Sequence, residues 1–145
     1  MNLMFKIIRK ILTKLRSYKL YISIRYEKLL WRGNIKISKS SKLFQKVKIN
    51  GEGKVYIGGN TVFGWRLGPS FNESSTIIQA RNKESEIIIG NNCHFNNNVY
   101  ICALKRIIIG DNCLIGNNVT FLDFDGHSNS LNPEERKLDP GQIDE

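Results

Sequence analysis

Read as hydrophobic and polar positions, the chain changes character near residue 33. From Met4 to Ile22 the apolar residues Met4, Ile8, Ile11, Leu12, Leu15, Tyr18 and Ile22 return at three- and four-residue steps, which is one stripe on a helix. Lys6, Arg9, Lys10 and Lys14 fall on or beside the opposite face. Further along, the period becomes six. Ile89, Phe95 and Ile101 form one series, and Ile109, Ile115 and Phe121 another. The run Ile87-Ile88-Ile89-Gly90-Asn91-Asn92-Cys93 returns twenty residues later as Ile107-Ile108-Ile109-Gly110-Asp111-Asn112-Cys113, and Asn97-Asn98-Val99 returns as Asn117-Asn118-Val119. Ile57-Gly58-Gly59-Asn60-Thr61-Val62-Phe63-Gly64 carries the same hexad. Ile37, Leu43, Ile49 and Val55 keep the step of six among polar, Lys-rich neighbours.

A six-residue step has a direct physical meaning. Two or three residues form a short strand with an aliphatic side chain pointing inward, and the rest turn a corner on Gly, Asn or Asp, which tolerate left-handed backbone angles. Three hexapeptides make about eighteen residues, one turn of a parallel β-helix. The observed twenty adds a two-residue loop near Leu104 and Lys105. A β-sandwich would instead alternate with period two and turn roughly every 8 to 12 residues. The expected fold is therefore all-β, a parallel β-helix of hexapeptide repeats preceded by an amphipathic α-helix. Residues 1–32 form the helical segment, 33–130 the β-helix, and 131–145 a polar loop or tail. Stacking places Cys93 and Cys113 in one column of small side chains with Thr61, Val99 and Val119, as buried small groups and not as nucleophiles.

Composition agrees with β structure and many turns, because the 145 residues include 20 Ile, 16 Asn and 12 Gly but only two Ala. The net charge of +9 suggests an anionic partner until it is read by position. Residues 1–32 hold nine Lys and Arg against Glu27 alone, so +8 belongs to the helical segment and the remainder is nearly neutral. Nucleic acid is not the expected partner, since no binding motif is present and no aromatics alternate with the cations. An interfacial helix on a membrane surface is one expectation for this segment, and packing on protein is the other. Charges interrupt it too often for a signal peptide or a spanning helix. Three cysteines without Cys-x-x-Cys spacing and two histidines leave no structural metal, and they fit a reducing compartment.

The stretch from Ile109 to Thr120, followed by Asp123-Phe124-Asp125-Gly126-His127-Ser128, resembles the hexapeptide-repeat acyltransferases. The branch it is similar to is that of the sugar and polysaccharide O-acetyltransferases, and the resemblance runs from about Val55 to Ser130. It implies a left-handed winding, acetyl-CoA as acyl donor with no metal, a sugar hydroxyl of a glycan precursor as acceptor, and a homotrimer with sites between neighbouring helices. It also implies a cytoplasmic enzyme, held at the inner membrane face if residues 1–32 bind lipid. His127 matches the family's general base, a role suited to imidazole, whose free pKa is about 6.5. Asp123 and Asp125 are both candidates to orient that ring or bind the acceptor. Asn98 matches an acceptor-contacting asparagine, and it equally reads as a corner residue because Asn118 is its repeat equivalent.

Other chemistries fit less well. His94 and His127 are too few for the three-histidine zinc site of the gamma-type carbonic anhydrases, which share the hexad. Ser128 is not in a Gly-x-Ser-x-Gly elbow. Family members continue after the histidine loop into further coils that supply much of the acetyl-CoA pocket, whereas this sequence ends at Glu145 within the loop. The alternative expectation is therefore a truncated, catalytically silent β-helical module for oligomerisation or binding.

Overall fold

A computed structural model describes residues 34–125 and, ahead of them, residues 4, 6–8, 10–12, 14, 15, 18 and 22. His127 and the 131–145 tail lie outside the described residues. Twelve short strands follow one another: β1 (Asn34–Ile37), β2 (Lys42–Leu43), β3 (Lys46–Asn50), β4 (Lys54–Ile57), β5 (Val62–Phe63), β6 (Ser75–Ala80), β7 (Glu86–Ile89), β8 (His94–Phe95), β9 (Tyr100–Ala103), β10 (Arg106–Ile109), β11 (Leu114–Ile115) and β12 (Thr120–Leu122). Every third strand pairs in parallel. Sheet I is β1-β4-β7-β10, sheet II is β2-β5-β8-β11 and sheet III is β3-β6-β9-β12. The chain visits the three sheets in turn, which is the course of a parallel β-helix.

The register follows the repeat. Asn34 pairs with Lys54 and Glu86 with Arg106, each twenty residues on, while Lys54 pairs with Glu86, thirty-two residues on. The second coil therefore carries extra chain, most of it between β5 and β6. Within strands inward and outward residues alternate, as in β6, where Thr76, Ile78 and Ala80 are buried. Leu43, Phe63, Phe95 and Ile115 stack behind sheet II, and the Phe63 and Phe95 rings lie 4.7 Å apart at 15°. Ile57, Ile89 and Ile109 line sheet I, and Ile49, Ile78 and Ile101 line sheet III. The Lys-rich first stretch is thus a full coil, because its lysines point outward while Leu43, Val47 and Ile49 point in.

The corners explain the asparagines. Asn60, Asn92 and Asn112, between sheets I and II, adopt φ of 56°, 56° and 60°, the left-handed region that asparagine tolerates. Their side chains form a ladder, Asn60 Nδ2 donating to Asn92 Oδ1 at 3.3 Å and Asn92 Nδ2 to Asn112 Oδ1 at 3.2 Å. Beside it Ser41, Thr61 and Cys93 each donate to the carbonyl of a glycine one coil on: Gly58 at 2.8 Å, Gly90 at 2.9 Å and Gly110 at 3.0 Å. A Cβ on Gly90 would meet the Gly110 carbonyl carbon at 2.8 Å, so this close approach requires glycine.

The small-residue column differs from expectation in one respect. Thr61, Cys93 and Cys113 share it, but Val99 and Val119 stand at the corner between sheets II and III, just before β9 and β12. All five residues precede an inward aliphatic or aromatic residue by two. Hexad phase fixes a place within the repeat and not which corner it occupies.

The described residues of the N-terminal segment are helical and exposed. No helix among the described residues is long and apolar enough to cross a membrane.

Candidate functional site

Of the site residues singled out from sequence, the described ones, Asp123, Asp125 and Asn98, fall at two corners, one at each edge of sheet III. At the edge between sheets III and I, Asp123 is buried and its carboxylate accepts three backbone hydrogen bonds. Leu104 N–H donates at 2.7 Å, Lys105 N–H at 2.8 Å and Arg106 N–H at 2.6 Å. The first two amides belong to the two-residue loop that lengthens each twenty-residue coil, and the third opens β10. Both oxygens of Asp123 are therefore committed to holding that loop. Phe124 is buried beside it, its ring 5.2 Å from the Arg81 guanidinium carbon. Asp125, by contrast, is exposed.

A polar cluster lies on the outer face of sheet III close to this corner. Gln79 Oε1 accepts from the Tyr100 hydroxyl at 3.0 Å, from Arg81 Nε at 3.2 Å and from Cys102 Sγ at 3.4 Å. Burial, helped by the adjacent Cys102 thiol, pushes the Tyr100 hydroxyl above its usual pKa. It stays protonated at neutral pH and serves as a donor.

Asn98 sits at the other edge, between sheets II and III. It is exposed, has φ of 58°, and donates from Nδ2 to Asn118 Oδ1 at 2.8 Å. Asp123 lies five positions after Asn118, the repeat partner of Asn98, which places the two corners on the order of 15 Å apart at about 3.3 Å per residue. One chain brings Asp123 and Asp125 together but does not bring Asn98 to them.

The Asn98 corner is elaborated by residues that the repeat did not flag. Between β5 and β6 the chain leaves the coil at Gly64 and returns at Ser74. Asn97, fully buried, grips this excursion from the coil above: its Oδ1 accepts from Trp65 N–H at 2.9 Å, and its Nδ2 donates to the Trp65 and Pro69 carbonyls, both at 2.9 Å. Gln45 grips it from the coil below, donating from Nε2 to Ser74 Oγ at 2.8 Å and to the Ser70 carbonyl at 3.2 Å. Gly64 has φ of 93°, and a Cβ there would lie 2.5 Å from Gln45 Cβ, so only glycine fits at the exit. The signal for all this was the broken hexad after Phe63, with Trp65, Gly68 and Pro69 where an inward aliphatic should recur.

The excursion leaves Trp65 58% and Leu67 88% exposed. Trp65 borders two adjoining hollows of about 350 and 470 Å³. The smaller also meets Lys42, Phe44, His94 and Asn96. His94 is exposed in β8.

Cys93 and Cys113 stand apart from both corners, whereas Cys102 belongs to the Gln79 cluster. Cys93 and Cys102 are buried and Cys113 is half-buried. Burial, with Cys113 adjacent, pushes the Cys93 thiol above its ordinary value, which removes thiolate and hence nucleophilicity. Among the described residues no group of three or more His, Cys, Asp or Glu is placed to hold a metal ion. Comparison of the chain with protein-family models, curated proteins and solved structures gives no match.

Proposed function

We propose that the chain is a sugar O-acetyltransferase of the left-handed β-helical kind, taking acetyl from acetyl-CoA, with His127 as general base. The observation that carries the reading is the clamp on Asp123. Three backbone amides fix this residue, and Phe124 is packed next to it, so the chain leaves the last described coil in a set direction. The Asp-rich loop leading to His127 therefore starts from a rigid corner. A catalytic base needs such support, because proton transfer requires hydrogen-bond reach to the acceptor hydroxyl. With Asp123 occupied, Asp125 is the carboxylate free to orient the imidazole or bind the acceptor.

The step itself is a direct transfer. His127 takes the proton from the sugar hydroxyl as its oxygen attacks the thioester carbonyl. The C–S bond then breaks, and the departing CoA sulfur receives that proton from the imidazolium. The separation of Asn98 from the Asp123 corner favours a homotrimer in which one copy supplies His127 and its neighbour Asn98. A cytoplasmic setting follows from the donor. The test is CoA release dependent on a sugar acceptor: His127→Ala should lower it about 10²- to 10⁴-fold, and wild-type-like turnover in that variant would rule the reading out.

A second reading, a silent β-helical binding or oligomerisation module, draws on the position of the two hollows, which lie at Trp65 and not at Asp123. It requires that calorimetry detect no acetyl-CoA binding at millimolar ligand.

A further inference from the structure

The core of the β-helix is closed, with Leu43, Phe63, Ile78, Ile87 and Ile101 at 0% exposure. The apolar stripe of the N-terminal helix is in the opposite state. Ile8, Ile11, Leu12, Leu15, Tyr18 and Ile22 are exposed by 44%, 53%, 60%, 59%, 68% and 39%. A helix used to cap the open end of a β-helix would bury this stripe against the first coil, and it does not. These residues share one face at helical spacing, so they form a continuous apolar strip that needs a partner outside the chain's own core.

Charge decides among outside partners. Residues 1–32 carry nine cations and one acid. A second copy of the same segment would bring like charges together along the strip, which opposes helix pairing. A surface with negative charge beside an apolar interior reverses that sign. We infer that the helix lies in the interface of an anionic lipid bilayer, with Leu12 and Leu15 among the acyl chains and the lysines at the headgroups. The β-helix, nearly neutral, would then stand on the membrane surface as a passenger. This inference does not depend on acetyl transfer.

The experiment is co-sedimentation of the full chain with vesicles of phosphatidylcholine alone or with roughly one-third phosphatidylglycerol, at low and high salt. Binding should require the anionic lipid and weaken with salt. Leu12→Glu with Leu15→Glu should abolish it, and Lys10→Glu with Lys14→Glu should weaken it at least about tenfold. Both variants should keep the thermal transition of the β-helix, which separates lipid binding from misfolding. Equal binding to both vesicle types would overturn the inference, as would undiminished binding by the Leu12/Leu15 variant. So would a wild-type oligomer that the Leu12/Leu15 variant dissociates without any lipid binding, since the stripe would then be a protein interface.

Discussion

Gln45 and Asn98, fifty-three residues apart in sequence, are joined across a missing rung of the β-helix: Asn98 N–H donates to Gln45 Oε1 at 3.3 Å. The coil between them bulges outward at Gly64, so its backbone is absent from the corner, and the long amide of Gln45 spans the gap. Its Nε2 meanwhile ties down the bulge. One buried side chain therefore sets both the projecting Trp65 loop and the backbone of the proposed acceptor residue.

Removal of that amide should be costly. Gln45→Ala would leave Asn98 N–H without its partner beside a buried corner and would release Ser74 Oγ and the Ser70 carbonyl, which keep only the bonds they make with each other. The expected loss in urea unfolding is that of one orphaned group, about 1–3 kcal/mol. Gln45→Asn should recover little, because a side chain one methylene shorter cannot span the gap. A loss below about 0.5 kcal/mol, the ordinary range of a surface change, would refute the bridging role.

The repeat equivalents Asn97 and Asn117 should behave unlike each other. Asn97 makes three hydrogen bonds to the Trp65 loop, whereas Asn117 Oδ1 is buried and lacks a hydrogen-bond partner. Asn97→Leu should cost about 2–4 kcal/mol and open the loop to proteolysis between Trp65 and Ser74. Asn117→Leu should cost under about 1 kcal/mol. Limited proteolysis with mass mapping, alongside unfolding curves, checks both. Equal effects at the two positions would contradict the assignment.

The two aspartates of the histidine loop should separate stability from activity. Asp123→Asn replaces an acceptor oxygen with a donor facing backbone N–H groups, at a cost of about 2–3 kcal/mol. Asp125→Asn should change stability by less than about 0.5 kcal/mol but reduce acceptor-dependent CoA release. The informative readout is kcat and KM on folded protein at low temperature. Full activity in Asp125→Asn would remove it from the site.

Thiol labelling tests the corner column. Cys113 should react with a disulfide reagent in the native state, while Cys93 and Cys102 react only on unfolding. Burial raises the folded-state pKa of Cys93 above its unfolded value, about 8.5 for a free thiol. Its contribution to stability is complete below the unfolded value and is lost as pH rises toward the folded one. Cys93→Ser should therefore flatten the alkaline fall in stability above about pH 8.5. An unchanged alkaline slope would show that Cys93 does not drive it.

The coils were legible because the same residues do two jobs. In Ile89-Gly90-Asn91-Asn92-Cys93 the isoleucine fills the core, the glycine permits close stacking and Asn92 turns the corner, so core and turn signals repeat together. The first coil was readable from the step of six alone. What sequence could not supply was contact between coils. Which corner Val99 occupies, the hold of Asp123 on amides nearly twenty residues earlier, and the pairing of Gln45 with Asn98 all depend on register, and the nine or so extra residues after Phe63 shift that register without leaving a motif. Asp123 and Asp125 look equivalent in sequence and differ only by which one the preceding coil uses. His127 lies outside the described residues.

The most direct measurement is complementation between inactive variants. His127→Ala and Asn98→Ala chains, each assayed alone and then after denaturation together and refolding as a mixture, would be given acetyl-CoA and sugar acceptors, with acetylated product read by mass spectrometry. If a site takes His127 from one copy and Asn98 from its neighbour, each variant alone is inactive and the mixture forms product. Product from His127→Ala alone at the wild-type rate, or a mixture as inactive as its parts beside an active wild type, would contradict a shared site built on His127.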